Sequence, residues 1–578
     1  MNQNSKTTKY PELSAALKDV KSYFILAGVF SAAINILMLV PVIYMLQVYD
    51  RVMSSGSLST LASLTLIMAA LLMAMGGFEW VRTKILISAS NRLEKNLRKR
   101  ISQAAFKYAL LSGGRGGGGQ ALSDLSSLRQ FLTGSGLFAF FDAPWFPIYV
   151  AVMFMFHSWF GVAAIISGII MVALAYTNEV MTGKRLQEAN GLANKVSGQV
   201  GGSLRNAEVI AAMGMADDIR ARQETSSDQV LVLQTEASSK AAIVANVSKS
   251  FRLIVQSLLI GMGALLALQG QISPGMVIAG SLLLGRALAP IDLLVGTWKG
   301  FSVARAQYAR LGELLNAIPD EQETMSLPAP EGSLSAEQVV VVPPGSEIVA
   351  VKSVSLQIDT GEVLGIVGPS ASGKSSLARA LLGIWPTRSG KVRLDGADIA
   401  AWDRAELGPH IGYLPQDIEL FDGSISENIS RFGELSPEKV VAAAKLSGVH
   451  EMILQLPQGY DTVIGGAGGV LSGGQRQRIG LTRAVYGSPK LMVLDEPNSN
   501  LDDQGEKELV EAINRIKQRG CTVIVITHRT MVLQCVDKIL VMKDGLAAAF
   551  GPRDQVLASL MAPAKAPAAA IASGGSAA

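Results

Sequence analysis

Val363-Leu-Gly-Ile-Val367 is an apolar run typical of a buried strand, and Gly368-Pro-Ser-Ala-Ser-Gly-Lys374-Ser375 follows it directly. The next residues, Leu377-Ala-Arg-Ala-Leu-Leu382, have helical spacing. A glycine-rich loop that ends in Lys-Ser between a strand and a helix is the phosphate-binding loop in its required context. Glycines there let backbone N–H groups surround phosphate oxygens at the helix N-terminus. The sequence therefore predicts an α/β nucleotide-binding domain.

Nine consecutive residues of this loop are expected to contact the nucleotide. Lys374 is long enough to reach the β- and γ-phosphates, and Ser375 can ligate Mg²⁺. The nine are Gly368, Pro369, Ser370, Ala371, Ser372, Gly373, Lys374, Ser375 and Ser376.

A second apolar run, Leu491-Met-Val-Leu-Asp495-Glu496, ends in two carboxylates. Asp495 is placed to hold Mg²⁺, directly or through water, and Glu496 to polarise the attacking water. An acidic helix start after a strand would have the same sequence. Beside a phosphate loop, the catalytic interpretation is favoured.

A third segment, Leu471-Ser472-Gly-Gly-Gln475, precedes a helical pattern. Small residues at a helix N-terminus suit an anion, so Ser472, Gly473, Gly474 and Gln475 are expected to bind phosphate. The phosphate loop already binds the nucleotide of its own chain, so a second phosphate site need not act on the same nucleotide. The second site is therefore expected to act across a dimer, on the partner's γ-phosphate.

The composition points to a large membrane part. Of 578 residues, 49% are hydrophobic and only 17% are charged, whereas about 25% is usual in soluble domains. This excludes a disordered or nucleic-acid-coating protein, and no nucleic-acid partner is expected. The basic residues are in excess only in the first 330 residues. The two cysteines, Cys521 and Cys535, provide neither a disulfide framework nor a metal site.

Four long runs without Asp, Glu, Lys or Arg predict six membrane-spanning helices, since one span needs about 20 apolar residues. Two runs, Ser22–Tyr49 and Val52–Phe78, are single spans. The other two, Ala143–Asn178 and Leu253–Gly285, are helical hairpins that turn near His157 and Gln269 to Gln271. Lys and Arg cluster before span one and after span two, which places both termini in the cytoplasm.

The predicted domain boundaries follow from these changes in composition. Residues 1–316 form the helical membrane domain, 317–333 a linker, 334–560 the α/β domain, and 561–578 a disordered Ala/Pro-rich tail. The inner connections, near Val81–Gly136 and Val180–Ser250, have helical spacing. Each is expected to form two helices of about 25 residues that extend about 37 Å beyond the bilayer.

The order of these motifs resembles that of an ABC transporter ATPase domain, over about Leu334–Leu560. The resemblance implies ATP and Mg²⁺ as cofactors and three further roles. It implies that Gln416 joins Ser375 and Asp495 at the metal and couples it to the membrane helices. His528 is expected to contact the γ-phosphate beside the catalytic Glu496, and Asp502 to lie in the loop that meets the partner subunit.

Two positions depart from the family pattern. The segment Val340-Val-Val-Pro343-Pro344 lacks the aromatic residue that usually stacks on adenine. Gly466 stands where exporters tend to have a Glu that contacts the partner's membrane helices.

Three membrane-region segments resemble type I secretion ATPase/permeases of the protease-exporter (PrtD-like) family. They run from Val40 to Val52, from Phe141 to Tyr149 and from Asn206 to Met215. The resemblance implies a homodimer of half-transporters in a bacterial inner membrane, with a periplasmic adaptor and an outer-membrane channel. Its substrate would be an unfolded protein with an uncleaved C-terminal signal. About 20 residues precede the first span, so no N-terminal peptidase domain is expected.

Two other functions remain open at this point. An exporter of lipids or small hydrophobic molecules has the same architecture and the same ATPase motifs. A nucleotide-gated channel or regulator without hydrolysis often lacks the catalytic Glu or the signature Ser, and both are present here.

Two charges are predicted at membrane depth. Asp142 and Arg286 are expected to flank the cytoplasmic mouth of the translocation path and to hold it shut. The alternative is that both side chains reach the inner membrane surface.

Overall fold

A computed structural model describes residues 9–113, 118–320, 326–465 and 471–561. The chain divides into two compact units. One unit contains Met1–Ala109 and Gly116–Asp320, and the other contains Leu110–Arg115 and Glu321–Ala578. The predicted tail from residue 562 onward and the departure at Gly466 lie outside the described residues.

The first unit is helical. Among its described residues, six helical segments are long and apolar enough to cross a membrane, which confirms the predicted six spans. Its helices are α1 Pro11–Asp19, α2 Lys21–Leu37, α3 Val40–Gln47, α4 Met53–Ser55, α5 Leu58–Leu111, α6 Gly118–Thr133, α7 Ser135–Asp142, α8 Phe146–Phe156, α9 Ser158–Arg205, α10 Ala207–Ala212, α11 Ala216–Leu268 and α12 Pro274–Ala317.

The turns and extensions of these helices follow from local sequence. The first hairpin turns at His157, whose ring Nδ1 accepts a hydrogen bond from the backbone of Trp159 at 3.2 Å. The second turns before Pro274, which begins α12 because proline needs no helical N–H donor there. Helices α5, α9 and α11 each run well past one membrane thickness, since they have 54, 48 and 53 residues.

Asp142, one of the two charges predicted at membrane depth, has partners that the sequence did not indicate. Asp142 Oδ1 accepts hydrogen bonds from Arg82 Nη1 at 3.1 Å and from Asn35 Nδ2 at 2.9 Å. Arg82 also donates to Ser31 Oγ at 2.9 Å and is only 5% exposed. Asp142 is therefore paired with Arg82 from α5 and not with Arg286, because a buried carboxylate is stabilised by the nearest cation and amide.

The second unit contains an α/β core. Its strands are β1 Leu334–Val341, β2 Val351–Ile358, β3 Val363–Val367, β4 Ser389–Leu394, β5 Ala397–Asp398, β6 Ile411–Leu414, β7 Gly423–Ser424, β8 Val463–Ile464, β9 Leu491–Asp495, β10 Thr522–Ile526, β11 Lys538–Lys543 and β12 Leu546–Pro552. Its helices are α13 Lys374–Leu381, α14 Arg404–Leu407, α15 Ile425–Ile429, α16 Pro437–Leu446, α17 His450–Leu454, α18 Gly473–Val485, α19 Asp503–Gln518 and α20 Arg553–Met561.

The central sheet has the order β12-β11-β3-β10-β9-β6. Strands β6, β9, β10, β3 and β11 are parallel, and β12 is an antiparallel edge strand. Every residue of β9 and β10 is buried, as expected for strands covered on both faces. A second, antiparallel sheet has the order β2-β1-β4-β5. In such sheets, the carboxyl ends of the parallel strands form the ligand-binding edge.

Candidate nucleotide-binding and hydrolysis site

The predicted site residues follow four neighbouring parallel strands. The phosphate loop comes after β3, Asp495 and Glu496 end β9, His528 follows β10, and Gln416 follows β6. The fold therefore places all four segments at one edge of the sheet.

Two glycines allow the phosphate loop to pack tightly. Gly368 has φ +152°, and a Cβ atom there would lie 2.1 Å from the carbonyl oxygen of Met542. Gly373 has φ +93°, and its Cβ would lie 2.3 Å from the carbonyl oxygen of Ala350. Only glycine fits at either position. Pro369, Ser370 and Ala371 are exposed at the outer side of the loop, and Ser376 is half-buried on α13.

Lys374 is folded over this loop. Its ammonium donates to the carbonyl oxygens of Gly368 at 2.8 Å and Pro369 at 2.9 Å. Burial lowers the pKa of the Lys374 ammonium, while the carboxylates of Glu496 and Asp495 act in the opposite direction. A cation is thus held at the loop where phosphate oxygens are expected.

Two of the three residues predicted to hold Mg²⁺, Ser375 and Asp495, are in direct contact. Ser375 Oγ donates to Asp495 Oδ1 at 3.2 Å. Burial raises the pKa of the Asp495 carboxyl, and its Oδ2 is buried without a hydrogen-bond partner among the described residues. Ser372 Oγ is likewise buried and unpartnered there. These unpaired oxygens fit a site that is completed by a cation and phosphate.

No group of three His, Cys, Asp or Glu side chains suited to a metal occurs in the described part of the chain. Mg²⁺ at nucleotide sites uses one or two carboxylates with waters and substrate phosphates, so Ser375 and Asp495 are a sufficient protein contribution.

Glu496 lies at the centre of the predicted catalytic group. Its carboxylate accepts a hydrogen bond from Gln416 Nε2 at 3.1 Å, and His528 Nε2 lies 3.5 Å from its Oε1. Glu496 has φ +51°, and its N–H donates to the carbonyl oxygen of Ile526 at 3.0 Å. Strained backbone of this kind persists where the surroundings fix it, often at catalytic positions. Gln416 contacts Glu496 here and makes no described hydrogen bond to Ser375 or Asp495.

Ser472 begins α18 with a capping box. Its Oγ accepts from Gln475 N at 3.2 Å, and its own N–H donates to Gln475 Oε1 at 2.8 Å. A Cβ on Gly474 would lie 2.9 Å from the carbonyl oxygen of Asn500. In the described part of the chain, no hydrogen bond connects the segment Ser472–Gln475 with the phosphate loop. The hydrogen bonds of each predicted phosphate site are thus made within its own segment.

Sequence analysis missed Gln477. Its amide donates to the carbonyl oxygen of Glu496 at 3.3 Å and accepts from Asn500 N at 3.0 Å. It is only 2% exposed and ties α18 to the segment after β9. One glutamine in a polar helix gives no sequence signal of burial, so no pattern could have identified it. Asp502 caps α19 by accepting from Gly505 N at 2.9 Å, in addition to its predicted place at the partner interface.

Two family models match the chain. The ABC transporter model matches residues 351–499, and the ABC transporter transmembrane region model matches residues 24–289.

Curated relatives narrow the family. The chain is 46% identical over 554 residues to the type I secretion system ATP-binding protein PrsD of Rhizobium meliloti (strain 1021), with 95% of each chain covered. It is 29% identical over 548 residues to the leukotoxin translocation ATP-binding protein LktB of Mannheimia haemolytica, covering 93% of this chain and 76% of LktB.

A solved structure shows the same fold. It is a bacterial Atm1-family ABC exporter with ATP bound, which superposes with a TM-score of 0.81 at 23% identity and covers 94% of this chain and 97% of that one. At this identity the likeness establishes the exporter fold alone. The identity to PrsD across both units establishes more: the chain belongs to the type I secretion ATP-binding proteins of the ABC transporter family.

Proposed function

We propose that the chain is the ATP-driven half-transporter of a type I protein secretion system. It moves an unfolded protein with an uncleaved C-terminal signal out of the cytoplasm. The observation that carries this proposal is the 46% identity to PrsD over 95% of both chains, because it includes the membrane unit as well as the ATPase unit. ATPase motifs alone would not distinguish protein export from lipid export.

Each site residue has a proposed role. Ser375, Asp495 and Gln416 hold Mg²⁺, which when bound neutralises charge on the phosphates. Lys374 and the loop from Gly368 to Ser376 bind and orient the phosphates.

Hydrolysis depends on the group around Glu496. Its carboxylate is the general base that orients water and accepts its proton, and Gln416 and His528 hold it in place. Ser472, Gly473, Gly474 and Gln475 bind the γ-phosphate held by the partner copy. Two ATP sites therefore form only in a dimer, and a homodimer is the simplest assembly.

The same proposal extends to location and partners. The six apolar helices support a multi-pass membrane protein. Under this proposal the chain lies in the bacterial inner membrane and has both termini in the cytoplasm. A periplasmic adaptor and an outer-membrane channel complete the export path, and the cargo is a secreted protein. Nucleic acid has no part in this function.

Secretion by intact cells tests the proposal. Two strains would carry either the unaltered chain or Glu496→Gln at equal membrane levels, and their culture media would be compared by quantitative proteomics. We expect at least one protein to disappear from the medium and accumulate in the cytoplasm at full length, with its C-terminus intact. An unchanged secreted proteome together with an altered envelope lipid composition would instead support lipid export.

A further inference from the structure

Arg286 is a charged side chain of the membrane unit, and the buried phenol of Tyr149 is an electrostatic neighbour of its guanidinium. Arg286 is exposed on α12, and it makes no hydrogen bond or ion pair with any residue of the described ranges. It lies about 18 Å along the helix from Pro274, inside a hydrocarbon core about 30 Å thick. Charges at such depth usually face a cavity or a partner, because exposing them to lipid is costly.

Two carboxylates of the same unit, Asp142 and Asp292, are already engaged. Asp142 is bound by Arg82 and Asn35, at 3.1 and 2.9 Å. Asp292, on α12 itself, accepts from Ser248 Oγ at 2.8 Å and lies 3.4 Å from Arg252 Nε. Arg286 is therefore a cation that the described chain leaves without an anion.

The exposed surface of α12 on the side of Arg286 includes two glycines. One exposed stripe of α12 follows helical spacing and contains Arg286, Leu293, Gly296 and Gly300. A Cβ atom on Gly296 would meet nothing within 4 Å, so open space lies beside it.

The other side of this stripe is closed by packing. Leu283, Leu284, Ala287 and Leu288 are fully buried around Arg286. At Gly285, a Cβ atom would lie 2.6 Å from the side-chain amide of Gln256 on α11. Arg286 thus projects from a firmly packed helix, and α12 has the largest buried share of the six candidate spans.

We infer that Arg286 is a binding site for carboxylate side chains of the exported polypeptide as it passes along this stripe of α12. The inference rests on the proposed function, since it assumes a polypeptide cargo. A single guanidinium offers paired donors that match a carboxylate. A stripe with glycines leaves room for a backbone, so acidic segments of many sequences are accepted.

Synthetic probes test this site. Three unstructured peptides of equal length would differ only in one repeated residue, Glu, Gln or Lys. Binding would be measured by fluorescence anisotropy on the full chain in phosphatidylcholine nanodiscs. We expect the Glu peptide to bind about three to ten times more tightly than the Gln peptide, as for a partly exposed ion pair. Arg286→Gln should remove this preference. Arg286→Lys should keep only part of it, because an ammonium keeps the charge and lacks the paired donors. Arg286→Glu should shift the preference to the Lys peptide.

The matched control is Arg222→Gln, which removes an exposed arginine near the start of α11 and should leave the preference unchanged. Equal binding of all three peptides to the unaltered protein, or an undiminished preference in Arg286→Gln, overturns the inference while polypeptide export stands. If no peptide binds at any charge, the inference is overturned, while polypeptide export is tested separately by the secretion experiment. If the preference appears only in nanodiscs with anionic lipid, Arg286 binds lipid phosphate and the inference is overturned. If Arg286→Gln dissociates the dimer, Arg286 contacts the second copy and the inference is also overturned.

Discussion

Glu496 is the residue on which the proposed chemistry depends. Its positive φ and its two side-chain neighbours, Gln416 and His528, fix the carboxylate at the end of β9. Gln477 holds the backbone oxygen of the same residue from α18. A motion of α18 would therefore reach Glu496 through one hydrogen bond.

Replacing Glu496 by Gln should leave ATP binding nearly unchanged and lower turnover by about 10²–10⁴, because a positioned base is lost while the shape of the side chain remains. ATPase rate and equilibrium binding of fluorescent ATP would be measured on the same preparation. Asp422→Asn, an exposed carboxylate of the same unit, serves as the control. Near-normal turnover in Glu496→Gln would exclude Glu496 as the base.

Asp495 gives a pH-dependent prediction. Burial raises the pKa of the Asp495 carboxyl, so protonation of this carboxyl stabilises the nucleotide-free fold. This stabilisation is lost as pH rises through the raised pKa. Asp495→Asn removes the buried charge. At pH 7.5 without Mg²⁺ it should raise the melting temperature by about 2–4 °C, and the difference should shrink as the pH falls through the raised pKa of Asp495.

Mg²⁺ with a non-hydrolysable ATP analogue should reverse this order, because only the carboxylate of the unaltered chain can hold the cation. Thermal unfolding of the full chain in nanodiscs provides the measurement. A lower melting temperature of Asp495→Asn in the nucleotide-free state would mean that burial does not dominate at Asp495.

At the scale of helices and strands, the sequence predicted what depends on local pattern. The strand–loop–helix around Lys374 and the six apolar runs were both recognisable, because their periodicity and length have few alternative explanations. Pairings between distant segments were not predictable. The contact of Asp142 with Arg82 joins residues 60 positions apart, and the placement of Gln477 beside Glu496 depends on how α18 packs.

Helix α1 illustrates a contact that sequence patterns do not reveal. Tyr10, at its N-terminus, packs edge-to-face on Tyr308 of α12 with ring centroids 5.9 Å apart. The backbone oxygen of Lys9 accepts from Asn316 Nδ2 at 2.8 Å. A Cβ atom on Gly312 would lie 2.3 Å from the Tyr10 ring, so glycine is required for this packing.

Gly312→Ala should therefore loosen α1 from α12 and cost about 1–3 kcal/mol, as overpacking usually does. Hydrogen exchange should rise in Pro11–Asp19, and the melting temperature should fall. Tyr10→Leu, combined with Gly312→Ala, should recover part of the loss because the smaller side chain makes room. Gly296→Ala, where a Cβ meets nothing within 4 Å, is the matched control. Unchanged exchange in Gly312→Ala would contradict this packing.

At the scale of the whole molecule, the proposed dimer has two ATP sites, and each chain contributes one half to each of them. The phosphate loop and the Ser472 segment share no hydrogen bond within the described chain. Under the proposed dimer, the anion bound at Ser472 belongs to the partner's nucleotide. A twofold axis would place each Ser472 opposite the partner's Lys374 and create two equivalent sites.

Heterodimers with one defect in each chain test this arrangement. Differently tagged Ser472→Arg and Lys374→Ala chains would be co-expressed and isolated by two affinity steps. If Ser472 acts on the partner's nucleotide, this heterodimer has one intact site and one site with both defects. About half of the normal ATPase rate is then expected for independent sites.

The control pairs an unaltered chain with a chain that carries both substitutions. It then has two damaged sites and should be inactive. The reverse result, an inactive first heterodimer and a half-active control, would show that each chain completes its own site.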